Sequence, residues 1–151
     1  EEPMDAGEQS FVVSGGVMGG RGVAFGGDED TRGAYGAGPE LSVGYGVNSR
    51  SHHDDDFFIF AERGFGTNLG WTALSGEGSG VGPLYSELYY QETVAWIAAG
   101  WVWDPNDHTH GPQLTISTFM LYMRATHQID AGTQLQAGIS IKLPHAFVWS
   151  Q

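Results

Sequence analysis

The sequence predicts an all-β domain, a single antiparallel up-and-down β-barrel of about eight strands. Three observations point there. Two segments alternate apolar and polar residues with a period of two. The polar face of each is built from Gly, Ser and Gln rather than from the charged residues of a solvent-facing strand. Turn formers divide the remaining chain into pieces of strand length. Successive strand side chains point to opposite faces, so such alternation gives one apolar and one polar wall. Small polar residues suit the crowded inside of a narrow barrel.

The elements follow in chain order. Residues 1–10 are a polar segment, read as what remains after signal cleavage, and residues 11–149 form the barrel domain. The chain starts Glu1-Glu2-Pro3, without a basic region and apolar stretch of its own. Segment 11–25 is the first strand candidate. Its glycines leave the register weak, and a bulge near Gly15-Gly16 or Gly19-Gly20 would turn Arg21 inward. Segment 35–47 is clean, with Tyr35, Ala37, Pro39, Leu41, Val43, Tyr45 and Val47 opposite Gly36, Gly38, Glu40, Ser42, Gly44 and Gly46. Segments 57–66, 69–75, 84–90, 94–103 and 112–125 are further candidates. The last, 134–149, is the second clean one: Leu135, Ala137, Ile139, Ile141 and Leu143 alternate with Gln134, Gln136, Gly138, Ser140 and Lys142.

Turn signals stand at Gly26-Gly27-Asp28, Asn48-Ser49, Gly76 to Gly82, Asp104-Pro105-Asn106 and Asp130-Ala131-Gly132. Tyr90 to Thr93 has no turn former, so 83–99 also fits a helix with Pro83 early and Gly100 as its cap. Tyr, Trp, Val and Ile favour strand there. A soluble β-sandwich or jelly roll is the alternative fold, with 57–75 and 84–103 unbroken. Pro39 in a clean strand favours it, because proline prefers an edge and a closed barrel has none.

Composition narrows the function classes. Of 151 residues 24 are glycine, only 16% are charged, and the formal net charge is −12. So acidic a surface repels phosphate, which excludes nucleic-acid binding and polybasic attraction to anionic lipid. There is no cysteine, hence no disulfide, thiolate metal site or Cys nucleophile. No run approaches the roughly 18 apolar residues of a membrane helix, whereas charge-free stretches such as 93–103 and 112–123 have the length of a membrane strand. Acidic residues cluster between strands. Aromatic residues such as Phe25, Tyr45, Trp71, Trp101, Trp103 and Trp149 crowd strand ends, where interfacial girdles would sit.

Inward charges are the most informative site residues. Glu40 and Lys142 lie on the polar faces of the clean strands, and Glu62, Arg63, Glu87 and, after a bulge, Arg21 join them as a lumen network. Charges in a narrow lumen must pair, so this set reads as a plug. Weak metal candidates are His52, His53, Asp54, Asp55 and Asp56 in one loop, and Asp104, Asp107, His108 and His110 in another. If both loops share one end of the barrel they could cooperate; a solvated acidic loop is preferred. No cofactor, metal or catalytic residue is expected.

The run Gln136-Ala137-Gly138-Ile139-Ser140-Ile141-Lys142-Leu143 resembles the C-terminal insertion signal of small bacterial outer-membrane β-barrels, carried by Gln136, Gly138, Ile141 and Leu143. The resemblance implies recognition by the barrel-insertion machinery, a lipid bilayer as solvent, and the outer membrane of a Gram-negative bacterium as location. The role would be structural or binding and non-enzymatic, within an envelope assembly of other proteins. A secreted or cell-surface module is the alternative. In that family the chain usually stops at a terminal aromatic, whereas Pro144 to Gln151 follow here. Its loops alternate long and short, whereas connections 48–55, 76–82 and 104–111 would all be periplasmic if the N-terminus is. His127 faintly resembles the histidine of lipid A deacylase barrels. Ile129 stands where their nucleophilic serine would be, so a lipid-acting hydrolase is disfavoured.

Overall fold

The computed structural model describes residues 8–25, 33–48, 63–75, 80–92, 94–118 and 120–148. Eight antiparallel strands run in chain order around a closed barrel. They are β1 (Glu8–Phe25), β2 (Gly33–Asn48), β3 (Arg63–Ser75), β4 (Gly80–Glu92), β5 (Ala95–Trp103), β6 (His110–Thr118), β7 (Leu121–Gln128) and β8 (Gly132–Val148). The all-β barrel expected from the alternation is the observed fold. The sandwich alternative fails because β8 returns to pair with β1 from Ser10↔Val148 to Phe25↔Thr133.

Two strand assignments need correction. The break placed at 67–68 does not exist, and β3 runs unbroken through it. Asn68 resembles a turn former in sequence but is buried in the lumen, where it accepts a hydrogen bond from Ser42. Conversely, 112–125 is two strands, with residues 119–120 as the connection. The helical reading of 83–99 fails because β4 and β5 form a tight hairpin around 93–94. Residues 57–62 and 149 lie outside the described residues.

The corrected topology sorts the connections. The end that holds Glu8 and Val148 also holds 49–62, 93–94 and 119–120; the far end holds 26–32, 76–79, 104–109 and 129–131. Connections 76–79 and 104–109 are therefore opposite the termini, contrary to the expected placement. Two of the three connections at the terminus end have two residues.

Register fixes the barrel geometry. Ser14 pairs with Ser42, then the row passes Asn68, Glu87, Gly100, Gln113, Thr126 and Gln134 and reaches Ala24. The row returns to β1 ten residues beyond its start, a stagger that goes with strands tilted about 35–45° to the barrel axis. From Ser14 to Gln134 it is an inward row, polar or glycine at every strand. Pro39 is accommodated without an edge: the β2–β3 ladder has no partners at Gly38 and Pro39, while the β1–β2 ladder passes through Val17↔Pro39 unbroken. A bulge between Trp71 and Ala73 on the β3–β4 seam adjoins that gap.

The molecule is inverted relative to a water-soluble domain. The described buried set has five hydrophobic residues, Met18, Tyr85, Ala98, Val102 and Tyr122, against twelve polar or charged ones. The outer wall carries Val17, Leu41, Leu69, Leu88, Ile97, Leu114, Ile116, Met123, Leu135 and Ile139, with Leu88 71% and Met123 69% exposed. Aromatic residues gather at both margins of this belt. Tyr45 lies between Phe11 and Phe65, with ring centroids at 5.5 and 6.3 Å, near the terminus end. Phe25, Trp101 and Trp103 lie toward the far end.

Candidate functional site

The lumen is filled by one connected network. β2 and β4 bring in Glu40 and Glu87, each with a fully buried carboxylate. β7 contributes Arg124 and β8 contributes Lys142. Alternation aims all four inward from their strands. Two negative and two positive charges balance.

Each carboxylate has its own partners. Glu40 forms an ion pair with Lys142 Nζ through Oε1, and Oε2 accepts from Tyr85 Oη at 2.6 Å. Glu87 Oε1 accepts from Gln113 Nε2 at 2.8 Å and from the Thr115 hydroxyl. Arg124 bridges the two acids, with Nη2 3.6 Å from Glu40 Oε2 and 3.7 Å from Glu87 Oε2. Its Nε donates to Thr115 Oγ1 at 3.0 Å, and its guanidinium lies 4.1 Å over the Tyr85 ring. Lys142 donates to Ser42 Oγ at 3.2 Å and rests 4.1 Å over the Trp96 ring. Ser42 passes the chain on to Asn68 at 2.7 Å, and Thr126 donates to Gln113 at 3.0 Å. Among the described residues, Glu87 Oε2 and Asn68 Nδ2 have no hydrogen-bond partner.

Glycines make room for this filling. A Cβ on Gly70 would lie 2.2 Å from the Tyr85 ring, and one on Gly44 2.5 Å from Tyr89 Oη. One on Gly20 would lie 2.7 Å from Tyr122 Oη. The tyrosines that hold or flank the charges therefore occupy space that a side chain at these glycines would fill. Of the pairs read as bulge sites in β1, Gly16 and Gly20 face close neighbours whereas a Cβ on Gly15 would meet nothing within 4 Å, and the β1–β2 register has no shift. A space of about 20 Å³ in the lumen is lined by Thr72, Gln113, Arg124, Thr126, Gln128 and Gln136 among others. That holds about one water.

The expected network is thus regrouped. The structure brings Glu40, Lys142 and Glu87 together. Arg21 is exposed on the outer wall, because an unshifted β1 keeps odd residues outward. Arg63 is also outside, paired with Glu92 at 3.5 Å near the terminus-end rim. Glu62 lies outside the described residues. Arg124, at the centre, was not anticipated. Reading 112–125 as one strand hid the phase change at 119–120: inward positions are odd in β6 (Gln113, Thr115, Ser117) and even in β7 (Tyr122, Arg124, Thr126).

The metal candidates separate. His52, His53, Asp54, Asp55 and Asp56 lie outside the described residues. Their connection joins strands at the terminus end, whereas Asp104, Asp107, His108 and His110 belong to the far end, so the shared end on which cooperation depended is not found. Asp104 is buried and accepts from Asn106 N at 2.9 Å and from Asn106 Nδ2 at 3.0 Å, an Asx turn that organises the loop. His110 packs beside Trp101 at 5.7 Å. No cluster of three ligand residues occurs among the described residues. His127 Nδ1 is 2.9 Å from Thr133 Oγ1 on the exposed surface, and Ile129 is in the following turn. Within the signal-like run, Ile141 faces outward, and β8 continues past it to Val148.

Comparison of the chain with protein-family models, with curated proteins and with solved structures finds no match. The geometry therefore carries the functional argument alone.

Proposed function

We propose that this chain is a membrane-spanning β-barrel of a bacterial outer membrane, with a sealed lumen and a structural or binding role. The observation that carries the reading is the inverted partition, an apolar belt outside and a charge-balanced polar network inside. A water-soluble barrel would reverse both. Within the described belt the only outward charges are Arg21, Arg63 and Glu92, and the last two pair at the rim. Arg21 is four residues from the far end of β1, where a long side chain can extend to the interface. β5 and β6 have nine residues each, the length of a tilted membrane strand of about 9–11 residues. Aromatic residues at both margins fit interfacial girdles.

The proposed partners are the lipid bilayer, the barrel-insertion machinery and other envelope proteins. The proposal is non-enzymatic: the described lumen is occupied by the buried side chains of the charge network. An accessory place in a larger envelope assembly is part of this reading. Spin labels at positions 137, 139 and 141 test the membrane claim. They should be accessible to oxygen in bilayers and shielded from an aqueous relaxing agent. Equal shielding from both would mean a protein-covered face and would refute the reading.

A further inference from the structure

Beyond Ser140, β8 has one neighbouring strand among the described residues. β7 begins at Leu121, the partner of Ile139, and the last bond across that seam runs from Ser140 N–H to the Met120 carbonyl at 2.8 Å. β8 nevertheless continues to Val148 and stays paired with β1 as far as Ser10↔Val148. Residues 141–148 therefore form an overhang past the β6–β7 turn, with one edge paired to β1 and the other open among the described residues. Open edges recruit other strands, and two copies of one edge strand meet antiparallel about a two-fold axis.

Backbone direction gives Pro144 a specific place on that edge. In antiparallel sheets one residue turns both its N–H and its C=O toward one neighbour, and the next residue turns them toward the other. Ser140 directs its N–H to the β7 side. Lys142, Pro144, Ala146 and Val148 share its phase and direct their backbone groups to the open edge. Proline has no N–H. Pro144 thus deletes a donor from the middle of the open edge, while the β1 ladder passes through Ser14↔Pro144 without a shift. One position earlier or later, the deletion would have fallen on the β1–β8 seam.

We infer that Pro144 keeps the β8 overhang from pairing with the β8 overhang of a second copy. In a two-fold pair centred on His145, Pro144 of each copy would face Ala146 of the other, and each Ala146 carbonyl would lack its donor. The inference rests on backbone pairing and not on the membrane reading.

Sedimentation and disulfide trapping test it, in detergent or in buffer, whichever folds the chain. The absence of cysteine makes His145→Cys, the position that meets its own copy across the two-fold axis, a clean reporter. With Pro144 intact the chain should stay monomeric and uncrosslinked at position 145. Pro144→Thr restores a donor on each copy and should raise self-association about tenfold or more, with crosslinking at position 145. Pro144→Ala restores the donor without added strand preference and should move the same way by less. Folded variants that remain as monomeric as the parent would overturn the inference. Crosslinking at position 145 in the parent background would do so too. If neither variant folds, Pro144 serves the strand itself and the inference is wrong.

Discussion

Arg124 is the test of how the lumen charges depend on one another. Arg124→Met keeps the volume and removes the bridge between Glu40 and Glu87. The two acids are left in different states. Glu40 keeps Lys142 and the Tyr85 hydroxyl. Glu87 keeps Gln113 and Thr115 on Oε1, but its Oε2, with no hydrogen-bond partner and Arg124 at 3.7 Å, loses its cation. Breaking a buried pair by removing one partner costs about 3–5 kcal/mol. Adding Glu87→Gln restores charge balance, because Glu40 and Lys142 still pair. The double variant should regain about 2–3 kcal/mol of that loss. Adding Glu40→Gln instead strands Lys142 and leaves Glu87 uncompensated, so nothing should be regained. The lost stacking of Arg124 on Tyr85 is common to all three variants and cancels in the comparison. Urea unfolding of the folded barrel in detergent or bilayers, followed by tryptophan emission, reads these differences. Equal rescue by Glu87→Gln and Glu40→Gln, or rescue by neither, would refute the division of the network into a Glu40–Lys142 pair and a Glu87–Arg124 pair.

Three further outcomes are expected. Ile139→Arg on the outer wall should cost about 2–4 kcal/mol of folding stability in bilayers if the residue is near the midplane, measured by denaturant titration in vesicles. Gly70→Ala should destabilise the barrel, and Tyr85→Leu in the same chain should relieve part of the loss, since the added Cβ meets the Tyr85 ring; the same unfolding assay reads both. Calorimetric titration with Zn²⁺, Mn²⁺ and Ca²⁺ should find no stoichiometric site tighter than about micromolar, because Asp104 is engaged in its own turn and the two acidic loops belong to opposite ends.

Much of the fold was legible because lumen and outer wall differ in kind at every second residue. In β2 and β8 that contrast is uninterrupted, and their phases were read correctly. The eight-strand count survived two opposite errors, a false break inside β3 and a missed one between β6 and β7. Both arose from treating turn chemistry as a local property. Asn68 is a turn former by composition but serves the lumen, while residues 119–120, Phe and Met, make a connection without Gly, Asn, Asp or Pro. The site suffered from the same cause. Arg124 was hidden by the phase change at that unmarked turn, and Arg21 was drawn inward by a bulge that the glycines of β1 do not make. The contribution of glycine lies elsewhere, in the space that glycines leave for Tyr85, Tyr89 and Tyr122. That could be found only once the register placed those rings opposite them.

The unequal strand lengths bear on the order in which the barrel assembles. Hairpins β4–β5 and β6–β7 join residues close in sequence through two-residue connections, so they can form early and locally. The β1–β8 seam joins opposite ends of the chain, and closing so long a loop costs about 4 kcal/mol in the chain-length term alone. That seam carries sixteen register pairs, against eight between β7 and β8 and six between β6 and β7. The entropically hardest step thus gains among the longest ladders in the molecule. Closure is then a late, cooperative event, and until it happens both β1 and β8 present long unpaired edges to whatever catalyses or misdirects their meeting.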